Sequence, residues 1–201
     1  MTLSIAIIIL TCLVSITSFS RHNSIDELSM WPYMVKEKNQ YYRFITSGFV
    51  HADYMHLAFN MITLFFFGRY IEVMFQQLFG GKLYFLLFYI IALIASDIPC
   101  YIKNRNNPGY RSIGASGAVS AVLFAFILVQ PWTKIYIFFL PLPAIIYGVL
   151  FLGYSAYMAK RGGDGINHDA HFWGAVVGVL FPLALKPGLA GYFLHQLTNF
   201  N

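Results

Sequence analysis

Long charge-poor apolar runs decide what this chain can fold into. Residues 2–20, 57–79, 83–102, 113–130, 135–158 and 170–185 carry few formal charges. Most approach the roughly 20 residues that a helix needs to cross about 30 Å of hydrocarbon. In lipid every backbone N–H and C=O must find an internal partner, which leaves helices or closed β-barrels. Barrel strands are short and alternate apolar with polar residues, whereas these runs are continuously apolar. The expectation is an all-α polytopic membrane protein, one bundle of six transmembrane helices. Composition agrees, because 58% hydrophobic against 10% charged residues leaves too little polar surface for a water-facing domain. Trp31, Tyr101, Trp132 and Tyr154 fall near run ends, where aromatic rings anchor to the membrane interface.

The 201 residues show no internal repeat, low-complexity tract or linker, so residues 1–201 read as a single membrane domain. The net charge of +5 is scattered through loops rather than gathered into a stripe for nucleic acid. Cys12 and Cys100 lie inside expected spans and read as small apolar fillers, not as a disulfide or metal ligands. Residues 1–20 lack the basic start and small-residue cleavage site of a secretory signal, so the first run is expected to stay as a helix. Residues 21–53 form a long polar loop, rich enough in aromatics to pack on the membrane interface rather than stay disordered.

Chemistry concentrates where that polar and apolar material meets. Ser116 follows Gly114 and Ala115 and precedes Gly117 at the mouth of the fourth run, just after a hydrated segment containing Lys103, Arg105 and Arg111. A serine there is a candidate nucleophile, and equally a helix cap on a small-residue packing face. The second run opens with His51, His56 and Asn60; the last two are four apart and so share a helix face. Their side-chain N–H groups suit an oxyanion. A metal site is disfavoured, since Asn is a poor soft-metal ligand and neither carboxylate nor thiol completes the set. Arg69 and Glu72 at the end of that run read as an ion pair or as contacts to a neighbouring loop. Asp97 is expected at the water interface without chemistry, and Pro141 and Pro143 are expected to kink a fifth helix.

In the last run Gly174 and Gly178 make a small-x-x-x-small ridge, and His171 lies on its edge. If that ridge packs on the small residues after Ser116, the imidazole comes within reach of the hydroxyl as its general base. His168 is the rival base, expected to be solvated.

The ordered set Gly114-Ala115-Ser116-Gly117, His51 with His56 and Asn60, Gly68 with Glu72, and His171 with Gly174 and Gly178 resembles the rhomboid intramembrane serine proteases. The resemblance runs from about Tyr42 to Leu185 and implies a rhomboid-like six-transmembrane-helix bundle. It implies a Ser116–His171 dyad without an orienting carboxylate, oxyanion donors His56, Asn60 and the Ser116 backbone N–H, and structural roles for His51, Arg43 and Glu72. The implied reaction is cleavage of peptide bonds in or near transmembrane segments of membrane-protein substrates, with no metal and no cofactor. Substrate entry is implied beside the fifth helix, under a cap at residues 160–167.

Two positions depart from the family pattern. Tyr42 precedes Arg43 where relatives have tryptophan, and Ser120 stands where many relatives place an aromatic ring against the catalytic imidazole. A non-proteolytic rhomboid-like client-binding protein is the alternative, although loss of the serine or histidine marks such members and this chain keeps both. A small transporter would instead place ionisable residues deep in several helices. The implied location is a bacterial cytoplasmic membrane with both termini inside, an orientation that leaves most loop cations outside, against the positive-inside rule.

Overall fold

The computed structural model describes residues 2–137 and 139–198; Met1, Phe138 and residues 199–201, all within the single-domain reading, lie outside the described residues. Helix α1 is Leu3–Phe19. The long loop folds into three short helices, α2 (His22–Leu28), α3 (Pro32–Lys38) and α4 (Arg43–Thr46), and a 3-10 turn at Ser47–Phe49. One continuous helical stretch then comprises α5 (Tyr54–Thr63), a π-helical segment Leu64–Gly68 and α6 (Arg69–Phe79). Helices α7 (Leu83–Asn104), α8 (Ser116–Val129), α9 (Ala144–Arg161), α10 (His168–Leu185) and α11 (Gly188–Thr198) complete the order.

Among the described residues, three helical stretches are long and apolar enough to cross a membrane: Tyr54–Phe79, Leu83–Asn104 and His168–Leu185. Helices α1 and α8 are apolar but shorter. Helix α1 is turned inside-out relative to a helix of a water-soluble bundle. In α1 the buried positions are Ser4, Ile7, Thr11, Ser15 and Ser18, while Ile9, Leu10, Leu13 and Ile16 face outward. Small polar residues at three- and four-residue spacing let helices approach, and the bulky apolar residues are left for lipid.

Helix α8 is the hub, with every residue from Gly117 to Val129 buried. Its 14 residues rise only about 21 Å, less than the ~30 Å of a hydrocarbon core. Helix α10 packs against it through glycine. A Cβ at Gly174 would collide with the Gly117 carbonyl, and one at Gly178 with the Ala121 carbonyl.

The fifth apolar run departs from expectation. It does not form one kinked helix: Lys134–Ile137 and Leu140–Pro143 pair as an antiparallel hairpin, β1 and β2, and α9 begins only at Ala144. Pro141 and Pro143 lack the N–H that a helix interior requires, whereas each strand of an isolated pair has a free edge that tolerates them. Pro143 is the N-cap of α9, so it starts the helix rather than bending it.

Glu72 departs as well. Its Oε1 accepts from the Leu3 N–H at 2.7 Å, and its Oε2 from the Ser4 N–H at 2.9 Å and the Ser4 hydroxyl at 2.8 Å. The carboxylate thus serves the orphan donors at the start of α1, where the helix dipole favours negative charge, instead of Arg69 or a loop.

Candidate active site

A cavity of about 700 Å³ opens among α5, α8, α9 and α10, and Ser116, His171, His56 and Asn60 all line it. Apolar side chains, among them Val119, Leu123, Tyr147 and Phe151, supply much of the remaining wall. The glycine contacts explain how two distant residues come to share it. Ser116 precedes Gly117, which touches Gly174, and His171 lies one turn before Gly174 on the same helix. Among the described residues no hydrogen bond joins the Ser116 hydroxyl to His171, so the pair is brought together but not closed. Nucleophile–base bonds are commonly loose until substrate fills the site.

The imidazole of His171 stacks on Phe151 of α9, with centroids 5.8 Å apart and planes 29° from parallel. The ring support absent at Ser120 comes from a different helix. No local signal marks Phe151 in a chain with 20 phenylalanines.

His56 reaches the loop before Ser116 because Gly114 makes room. A Cβ at Gly114 would lie 2.6 Å from the His56 ring, and the backbone there has φ +116°, a conformation that side chains resist. Asp53 caps α5 by accepting from the His56 N–H at 2.8 Å, which fixes the helix start. Asn60 is buried and donates one amide hydrogen to the His56 carbonyl at 2.9 Å, leaving the second for another acceptor. Ser116 is the first residue of α8, so its N–H is an orphan donor at a helix N-terminus, a third group suited to an anion.

Fully buried His51 stands behind this row. Ser15 Oγ donates to the Phe49 carbonyl at 2.8 Å, so at 2.9 Å it must accept from His51 Nδ1–H. Nε2 is then free to accept the Ala115 N–H at 3.4 Å. His51 thereby ties α1 to Ala115, the residue before Ser116, and its ring meets that of His56 edge-on at 4.9 Å. Burial and then the neighbouring His56 push its pKa down to about 3, so it is neutral at physiological pH.

Arg43, also buried, organises residues 21–53. Its Nε donates to Gln40 at 2.7 Å, its guanidinium donates to the carbonyls of Asp26 and Ser29 at 2.8 and 2.7 Å, and it lies over the rings of Trp31 and Tyr42.

Two residues sit elsewhere than expected. His168 is buried rather than solvated: its Nε2 lies 2.8 Å from Asp164 Oδ2, and Tyr154 packs on its ring. Asp164 reaches it from the loop at residues 162–167. Asp97 is also buried, not at the water interface, because Ser47 and Asn167 close over it.

Comparison with known proteins matches the Rhomboid domain model over residues 38–187, well over half of the chain. RHOMBOID-like protein 12, mitochondrial, of Arabidopsis thaliana is 34% identical across 72% of this chain and 46% of its own length. Rhomboid protease GlpG of Haemophilus influenzae is 27% identical across 77% of this chain and 74% of its own, and Rhomboid protease GluP of Bacillus subtilis 27% across 81% and 29%. This chain spans about half the length of its plant and yeast relatives. The domain match covers the helices that carry Ser116, His171, His56 and Asn60, and with it the chain belongs to the rhomboid family.

Proposed function

We propose that this protein is an intramembrane serine endopeptidase that cleaves peptide bonds in or near transmembrane segments of other membrane proteins. One observation carries the reading: Ser116, His171, His56 and Asn60 converge on one cavity at the start of a helix too short to span hydrocarbon. The protease names of the bacterial relatives support it.

The Ser116 hydroxyl attacks the substrate carbonyl while His171 takes its proton, forming a tetrahedral intermediate. Charge develops on the carbonyl oxygen, where the His56 side chain, the second Asn60 hydrogen and the Ser116 N–H stabilise it. The imidazolium returns its proton to the departing amine, leaving an acyl-enzyme on Ser116. Water, deprotonated by the same imidazole, then releases the new carboxyl end. Phe151 holds the ring in orientation through both halves. A substrate helix must unwind at the cleaved bond, because its carbonyls are otherwise engaged in helical hydrogen bonds.

The same reading takes the six longest helical stretches as six spans of a bacterial cytoplasmic membrane, with both termini inside. The relatives include bacterial proteins beside mitochondrial and chloroplastic ones, so cell fractionation tests the location and a terminal reporter fusion the orientation. For the activity, the purified protein is reconstituted with a transmembrane substrate beside Ser116→Ala and His171→Ala. Both variants are expected to lose about a thousandfold or more in kcat. Full cleavage by either overturns the dyad, and no cleavage by wild-type protein of any of a panel of transmembrane substrates favours a client-binding protein.

A further inference from the structure

Asp97 buries a carboxyl group in α7, and the hydrolysis proposed above makes no use of it. Its Oδ2 accepts from the Ser47 hydroxyl at 3.4 Å, and its Oδ1 from Asn167 Nδ2 at 3.3 Å. Asn167 is the N-cap of α10, its Oδ1 accepting from the Ala170 N–H at 3.1 Å. With the amide oxygen committed to the cap, the nitrogen must point the other way, where its two hydrogens reach Asp97 and the Ser112 hydroxyl, the latter also at 3.3 Å. One amide therefore joins α7, the segment that leads into Ser116, and the first turn of the helix that carries His171. Asp97, Ser112, Asn167 and Ser116 also line one small cavity of about 10 Å³ behind the nucleophile.

The α8–α10 contact explains why such a link is needed. Gly174 and Gly178 let the two backbones touch, but a glycine ridge offers no side-chain knobs to resist sliding or rotation. Contact sets the separation of the helices; the height and rotation of α10 need a fixed point at its end. A displacement of about 1 Å at a reacting pair costs on the order of a hundredfold in rate.

We propose that Asp97 is a positioning residue for the catalytic base: by holding the Asn167 amide, it sets α10 at the height and rotation that face His171 toward Ser116. The proposal rests on the Ser116–His171 reading.

The test exchanges the two groups in the full-length protein, reconstituted with a transmembrane substrate. Asn167→Asp keeps a good helix cap but removes the donor and sets two carboxyl groups against each other. It is expected to lower kcat at least tenfold with KM within about twofold, and to slow labelling of Ser116 by a fluorophosphonate in parallel. Asp97→Asn combined with Asn167→Asp restores an amide facing a carboxylate, and kcat is expected to return to within threefold of wild type. Asn167→Ser, which caps equally well and introduces no repulsion, covers the case in which Asn167→Asp fails to fold; its kcat is expected to fall several-fold. A purely structural carboxyl group would change the unfolding temperature of these variants while leaving kcat per folded molecule intact. Wild-type kcat in a folded single variant of Asn167, or an exchanged pair no better than Asn167→Asp, overturns the proposal. Ser116→Ala in the same assay separates the two readings. If it still cleaves, the dyad fails; if it is inactive while the Asn167 variants are unimpaired, only the positioning role fails.

Discussion

Replacing Phe151 tests whether the base of this site is held from a helix other than its own. The Phe151 ring lies 5.8 Å from that of His171 at 29°, within the range for an offset stack. Such a pair contributes about 0.5–1.5 kcal/mol beyond its buried area. If that energy serves to keep the imidazole facing Ser116, its loss raises the barrier equally, so kcat falls roughly two- to thirteenfold. Phe151 also lines the cavity, so truncation to alanine widens the wall and raises KM as well. Leucine separates the two effects, since it fills much of the volume without an aromatic face. Phe151→Ala is expected to change kcat and KM, and Phe151→Leu chiefly kcat, in initial-rate assays on a reconstituted transmembrane substrate. Wild-type kcat in both variants would refute the stacking role. Loss in alanine with none in leucine would show that the ring only occupies space.

Other perturbations follow from the same geometry. Gly114→Ala forces a side chain into positive φ and onto the His56 ring, so kcat is expected to drop at least tenfold with Ser116 still reactive to a fluorophosphonate. Glu72→Gln removes a buried charge from three hydrogen bonds at the start of α1, and denaturant titration should show a loss of about 1.5–3 kcal/mol. His51 has a folded pKa near 3, below its unfolded value of about 6.5, so the unfolded chain binds more protons between those limits. Its contribution is complete above pH 6.5 and lost as pH falls toward 3. The unfolding temperature should therefore drop across that window, and less steeply in His51→Asn; an identical slope would remove His51 as the cause.

The parts of this fold legible in the sequence are those where one residue type has one physical use. Gly174 and Gly178 read as a contact ridge because only glycine lets helix backbones meet, and the collisions a Cβ would make with Gly117 and Ala121 are that contact. Apolar runs mark α1, the α5–α6 stretch, α7, α8 and α10 within a few residues. They mislead at residues 134–143, because hydropathy does not distinguish an apolar helix from an apolar hairpin, and the two prolines act there as helix breakers rather than kinks. The partners of Glu72 are not legible in sequence because Leu3 and Ser4 lie 69 and 68 residues away. Asp97 looked interfacial because the groups that bury it, Ser47 and Asn167, come from two distant loops.

Phe151 is not legible in sequence for a related reason: it meets His171 from a separate helix, α9. Small residues on α8, including Gly117, Ala118, Ser120 and Ala121, give α10 its close approach, so on that face the helix of Ser116 carries no ring to hold His171. Support must then come from a third element, and α9 is the one beside the cavity. Helix α9 itself is only partly embedded: its buried residues are Ala144, Gly148, Ser155 and Met158, while Val149, Leu150, Tyr154 and Tyr157 face outward. It is flanked by the β1–β2 hairpin at one end and by a loop of positive-φ glycines, Gly162, Gly163 and Gly165, at the other. A helix held by one narrow seam moves more readily than α8, which is buried throughout. Any substrate that displaces α9 on entering the cavity therefore also shifts the ring on which His171 rests, so the orientation of the base is coupled to the wall through which that substrate is held.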